Sequence, residues 1–131
     1  MAKRQFLFAA KWAATLGPAL EERQEVLAAL ADCAIEIYAM DSMLGRTLAT
    51  SAEESECELR DALCRLYCME SRDRAFARAR FAVCAVAPAS EVGEAVAQLA
   101  KLYDFTPVNG AEVREQIVKP LLESAHYPLS Y

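Results

Sequence analysis

The sequence predicts an all-α fold: a helical bundle of about five helices, two of about 30 residues and three shorter. Three observations point there. Apolar residues recur at spacings of three and four, and no stretch alternates as a strand would. Helix breakers are scarce, four Gly and five Pro, and Gly17-Pro18, Pro88 and Gly110 punctuate the periodic segments. Capping signatures precede several of those segments.

Helix 1 is expected from about Lys3 to Leu16, broken by Gly17-Pro18. Pro18 suits the first turn of helix 2, where its missing N–H is harmless. Glu21 and Glu22 would complement that helix's positive end. Helix 2 is expected from Pro18 to Ala49, with Leu27, Leu30, Ala31, Ala34, Ile35, Tyr38, Met43 and Leu44 as its apolar stripe. Gly45 lies on that stripe, so a neighbouring helix is expected to approach closely there. Asp41 also falls near it, and a buried carboxylate would need an arginine.

Helix 3 is expected from Ser51, with Glu54 completing a capping box, to about Val86. Its first turns are acidic and its later turns carry Arg72, Arg74, Arg78 and Arg80, following the helix dipole. It has two apolar sides. Cys57, Cys64, Cys68, Ala75, Ala79 and Ala82 form the small one, and Leu59, Leu63, Leu66, Ala77, Phe81 and Cys84 the other. A helix apolar on opposite sides is expected to have neighbours on both. Pro88 ends it. Ser90 would cap helix 4, which runs to about Tyr103 with Val92, Val96, Leu99 and Leu102 as its stripe. Asn109 with Glu112 marks the start of helix 5, and Pro120 is expected to kink or end it. The tail from Tyr127 carries no helical signal.

At 131 residues the chain is expected to be a single helical domain, residues 1–131. The apolar content of 55 % excludes a disordered chain. It also exceeds the roughly 45–50 % usual for globular domains on a residue set that counts Gly. Much of the excess is alanine, 26 residues in all, yet a small domain still struggles to hide it. One face is therefore expected to meet another protein surface. The net charge of −5 argues against nucleic acid as a partner and against attraction to anionic lipid.

The five cysteines are odd in number and helically spaced, so they read as free thiols in a reducing, cytoplasmic setting. The longest apolar run, Phe81 to Ala87, is far below the length of a membrane span. Lys3, Arg4 and the apolar stretch that follows only imitate a signal peptide, because Lys11 interrupts it.

Chemical constellations are sparse. Cys57, Cys64 and Cys68 share a helix face, but a structural zinc site needs a fourth ligand, which only Cys33 or His126 could supply; no metal is expected. Asp32, Glu36 and Asp41 could suggest acid–base work. Arg46 and the arginines of helix 3 are their more natural partners. His126, the single histidine, sits in the tail, and no phosphate loop or dinucleotide fingerprint occurs. No catalytic or cofactor-binding residue is assigned in this chain.

The stretch Gln24 to Met40, with Asp32 and then Ile35-Glu36-Ile37-Tyr38-Ala39-Met40, is followed by Leu44 and Arg46. Together with Tyr67-Cys68-Met69-Glu70, it resembles the C-terminal helical region of the very-long-chain type of acyl-CoA dehydrogenase. The resemblance implies that Asp32, Ile35, Glu36, Tyr38, Met40, Leu44, Arg46, Cys68 and Glu70 are packing positions of a family motif. Members of the family oxidise acyl-CoA with FAD, and this region follows their catalytic core.

The resemblance thus implies about the last fifth of an enzyme of fatty acid β-oxidation. Its work would be packing and oligomer assembly. FAD would belong to the parent enzyme and not to this chain, and the partner would be the catalytic core, in a homodimer with membrane association. No counterpart of the family's catalytic glutamate is found, so the chain alone is expected to be inactive. The alternative is a stand-alone helical protein–protein interaction module.

Overall fold

A computed structural model describes residues 2–49 and 54–124. Among them are five α-helices: α1 Ala2–Ala14, α2 Gln24–Ala49, α3 Glu54–Val86, α4 Val92–Lys101 and α5 Gly110–Ser124. A 3-10 helix, Gly17–Glu22, lies between α1 and α2, and no strand occurs among the described residues. The fold is all-α, as the periodicity predicts, with α2 and α3 the two long helices of 26 and 33 residues.

The start of α2 differs from expectation. Gly17 takes a positive φ of 54°, which turns the chain as α1 ends. Pro18 then opens a separate 3-10 helix, closed by bonds such as Arg23 N–H to the Leu20 carbonyl at 3.0 Å. Arg23 leaves helical geometry, and its carbonyl accepts from Val26 and Leu27 to begin α2. Glu21 and Glu22 therefore end the 3-10 helix, and Glu25 occupies the first turn of α2.

Other element ends show the same local competition. Ser90 does not cap α4: Glu91 stands at its N-cap without a side-chain bond, and the Pro88 carbonyl takes the Glu91 and Val92 N–H groups. At α5 the Asn109 cap forms, with Glu112 N–H donating to Asn109 Oδ1 at 3.3 Å. Pro120 does not end α5, which continues to Ser124. The capping box at Ser51 and the tail from Tyr127, His126 included, lie outside the described residues.

The chain forms two compact units. The first comprises Met1–Tyr38 and Ser71–Phe105, the second Ala39–Glu70 and Thr106–Tyr131. The first has nine acidic and nine basic residues, so the whole net charge of −5 lies in the second.

The core of the first unit is built mainly from small residues. Ala9 and Ala13 of α1, Val26, Ala29 and Cys33 of α2, Ala75, Ala79, Ala82 and Val83 of α3, and Ala95 and Leu99 of α4 are buried together. Gln5 is buried with them, and its Nε2 donates to the Leu102 carbonyl at 3.2 Å, tying α1 to the end of α4. In the second unit the core is Leu59, Ala62, Val113 and Ile117, with Leu63, Leu66, Val108 and Leu121 packed on it.

The two apolar sides of α3 are used unequally. The small side is buried in the first unit at Ala75, Ala79 and Ala82 and in the second at Cys64. The leucine side is covered in the second unit, where Leu59, Leu63 and Leu66 pack with α5. Ala77, Phe81 and Cys84 continue that side into the first unit and are exposed, as is Cys57 at the start of the small side.

Two further expectations are not met. Gly45 is exposed and a Cβ there would meet nothing within 4 Å among the described residues, so it marks no close helix approach there. Asp41 is exposed, not buried.

Candidate functional site

Helical spacing places Leu27, Ala31, Ala34, Ile35 and Tyr38 on one face of α2. All five are exposed, and Ile35 and Tyr38 keep 62 % and 75 % of their surface in water. At these positions the apolar stripe read from the sequence faces outward, while Leu30 of the same stripe packs on the first unit's core and Met43 is half-buried. The buried positions of α2 are Val26, Ala29 and Cys33, whose small side chains admit the close approach of other helices.

Beside that stripe α2 and α3 enclose an open depression of about 930 Å³. Ile35, Phe81 and Cys84 are among its apolar lining, with Asp32, Glu36, Arg74 and Arg78 as its polar lining. The four charges are paired within the unit. Arg74 donates Nε to Glu36 Oε1 at 2.6 Å and Nη2 to Oε2 at 3.0 Å, and Arg78 Nε lies 3.2 Å from Asp32 Oδ2. Arg74 also donates to Ser71 Oγ at 2.8 Å, and the buried Ser71 hydroxyl bonds Glu36 in turn. The Arg74 hydrogen bonds hold the Glu36 carboxyl below its usual range, and the Ser71 bond adds to this. The spacing of Asp32 and Glu36 therefore makes ion pairs with α3, as expected, and Ser71 is the member that sequence reading missed.

The nine motif positions divide between the units. Asp32, Ile35, Glu36 and Tyr38 belong to the first and lie in or beside this depression. Met40, Leu44, Arg46, Cys68 and Glu70 belong to the second. There Met40 and Cys68 are half-buried, Leu44 and Arg46 are exposed, and Glu70 accepts from Arg114 Nη2 at 2.6 Å.

The first unit holds one further cluster. Arg72 stacks on Phe105, 3.8 Å from its ring centroid, and lies 5.3 Å from that of Tyr103, whose hydroxyl donates to Asp73. Of the five thiols, Cys33 and Cys64 are buried, Cys68 is half-buried, and Cys57 and Cys84 are exposed. Among the described residues no three metal-ligating side chains converge. No described helix is long and apolar enough to cross a membrane.

A protein-family model, the acyl-CoA dehydrogenase C-terminal domain, matches residues 1–101. The chain belongs to this family. The matched residues of this acyl-CoA dehydrogenase C-terminal domain include the whole of α1 to α4. Among solved structures the chain is similar to an acyl-CoA dehydrogenase complexed with FAD from Bacillus anthracis. The two are 27 % identical with a TM-score of 0.88, over 98 % of this chain and 22 % of that one. The chain thus spans about a fifth of the length of the dehydrogenase it matches. No curated protein matches it.

Proposed function

We propose that this chain serves as the C-terminal helical part of an FAD-dependent acyl-CoA dehydrogenase of the very-long-chain type, acting in fatty acid β-oxidation in the cytoplasm. Its two compact units act as one accessory domain. Its work is to pack on the catalytic core and to support a homodimer, and it carries no active site of its own. The observation that carries this reading is the structural match at TM-score 0.88, in which nearly the whole chain corresponds to 22 % of a flavin-containing dehydrogenase. The motif around Ile35-Glu36-Ile37-Tyr38-Ala39-Met40 supports the subtype.

In this reading FAD belongs to the core. The α2–α3 depression suits a dinucleotide poorly. Arg74 and Arg78 are already engaged by Glu36 and Asp32, and those carboxylates would repel a pyrophosphate. The test is to co-express the chain with a flavin-loaded acyl-CoA dehydrogenase core from the same source that lacks its own C-terminal helices. Stable association that completes a dimer supports the proposal. A core that dimerises and turns over fully without the chain, and does not bind it, removes it.

A further inference from the structure

The outward stripe of α2 and the Ala77, Phe81 and Cys84 side of α3 lie side by side in the first unit. They expose Leu27 at 36 %, Ile35 at 62 %, Tyr38 at 75 % and Phe81 at 47 %. Exposed aromatic and aliphatic residues gathered on one face mark an interaction surface, whereas scattered ones do not. The carboxylates of this face are matched within it, Glu36 with Arg74 and Asp32 with Arg78. Burying it would therefore not strand those charges. Arg80, which also lines the depression, makes no such pair among the described residues and is a cation that could meet a partner.

A second exposed apolar patch, Val118 and Leu122 on α5, is interleaved with Arg114, Glu115, Lys119 and Glu123, the pattern of a solvated face. It also lies outside residues 1–101, whereas the whole α2–α3 face lies inside the family match. The similar dehydrogenase from Bacillus anthracis has more than three quarters of its chain beyond the part this fold covers. An enzyme that keeps this fold therefore has a large neighbour available to it.

We propose that the α2–α3 face docks on the flavin-bearing core of an acyl-CoA dehydrogenase. Ile35, Tyr38 and Phe81 are its anchors, and Arg80 meets an acidic or carbonyl group of that core. This rests on the function proposed above and adds which surface performs it. Aromatic anchors set among matched charges have the composition of interface hot spots.

The experiment is titration calorimetry of the chain against the separately purified, flavin-loaded core, with circular dichroism to confirm that each variant keeps its helices. The substitutions Ile35→Asp and Tyr38→Asp act at exposed positions and leave the fold in place. Each is expected to weaken binding about tenfold or more, and Arg80→Glu severalfold. Leu122→Asp on α5 is expected to bind within about twofold of the unmodified chain. Unchanged binding by Ile35→Asp and Tyr38→Asp overturns the assignment of the face while leaving the proposed function standing. Loss of binding by Leu122→Asp alone has the same meaning. A chain that self-associates through this face, with Tyr38→Asp restoring the monomer, overturns it in favour of a second copy. No binding by the unmodified chain overturns both readings.

Discussion

The guanidinium of Arg74 grips Glu36 at two points, Nε to Oε1 at 2.6 Å and Nη2 to Oε2 at 3.0 Å, joining α3 to α2 in the first unit. A fork of this kind is geometry that lysine cannot reproduce. Arg74→Lys is therefore expected to lose stability by about 0.5–1 kcal/mol, kept small because nearly half of the arginine side chain faces water. Arg74→Gln should lose slightly more, because Glu36 keeps its charge without its partner. Urea unfolding at neutral pH measures both.

The same pair sets an acid-side dependence. The folded Glu36 carboxyl titrates below its usual range, chiefly through its hydrogen bonds to Arg74. A depressed folded value gives stability that is present above the unfolded glutamate value of about 4.3 and is lost as pH falls through the folded one. The urea midpoint is therefore expected to fall below that pH with a steeper slope in the native chain than in Glu36→Gln. Equal slopes would remove Glu36 from the account.

Ser71 is buried between these partners, accepting from Arg74 and bonding Glu36. Ser71→Ala removes the hydroxyl without opening a large cavity. The expected loss is about 1 kcal/mol, with the Glu36 carboxyl moving back toward its ordinary range. Carboxyl-resolved NMR titration reads the shift directly.

The fold was legible where local chemistry dictates it. Gly17-Pro18 and Pro88 stop helices because one turns the backbone and the other lacks an N–H, and Asn109 caps α5 because its side chain reaches the Glu112 N–H. The ion pairs of Asp32 and Glu36 followed from carboxylates facing an arginine-rich helix. The direction of the α2 stripe was not legible. Periodicity identifies which face is apolar, and it carries no information on what covers that face. Here Ala29, Cys33, Ala75 and Ala79 make the internal seam, since small side chains permit close helix packing, and the larger Ile35 and Tyr38 are left outside. Pro120, expected to kink or end α5, does not end it: a proline forfeits one backbone bond, which the rest of α5 tolerates.

The thiols should separate by environment. Burial, with the nearby charge of Glu36, pushes the Cys33 thiol up to about 11. Its thiolate is scarce at pH 8, and the side chain is closed to reagents. Titration with a chromogenic disulfide at that pH is expected to modify Cys57 and Cys84 quickly. Cys33 should react only after denaturant is added. Rapid modification of Cys33 in the native chain, read by peptide mass mapping, would contradict the packing of α2 described above.

Leu99 and Leu122 separate burial from exposure on the same side chain. Leu99 is fully enclosed in the first core, while Leu122 keeps 79 % of its surface in water. Leu99→Ala removes transferred apolar surface and leaves a cavity among alanines that have little side chain with which to refill it. The expected loss is about 2–5 kcal/mol. Leu122→Ala removes almost nothing from the interior and should stay within about 0.5 kcal/mol of the unmodified chain. Parallel urea titrations of the two variants measure the difference, and similar losses would mean that the α5 face is covered in the chain itself. That outcome would also withdraw Leu122→Asp as the neutral control for docking through α2 and α3, so the two leucines test the interior and the surface together.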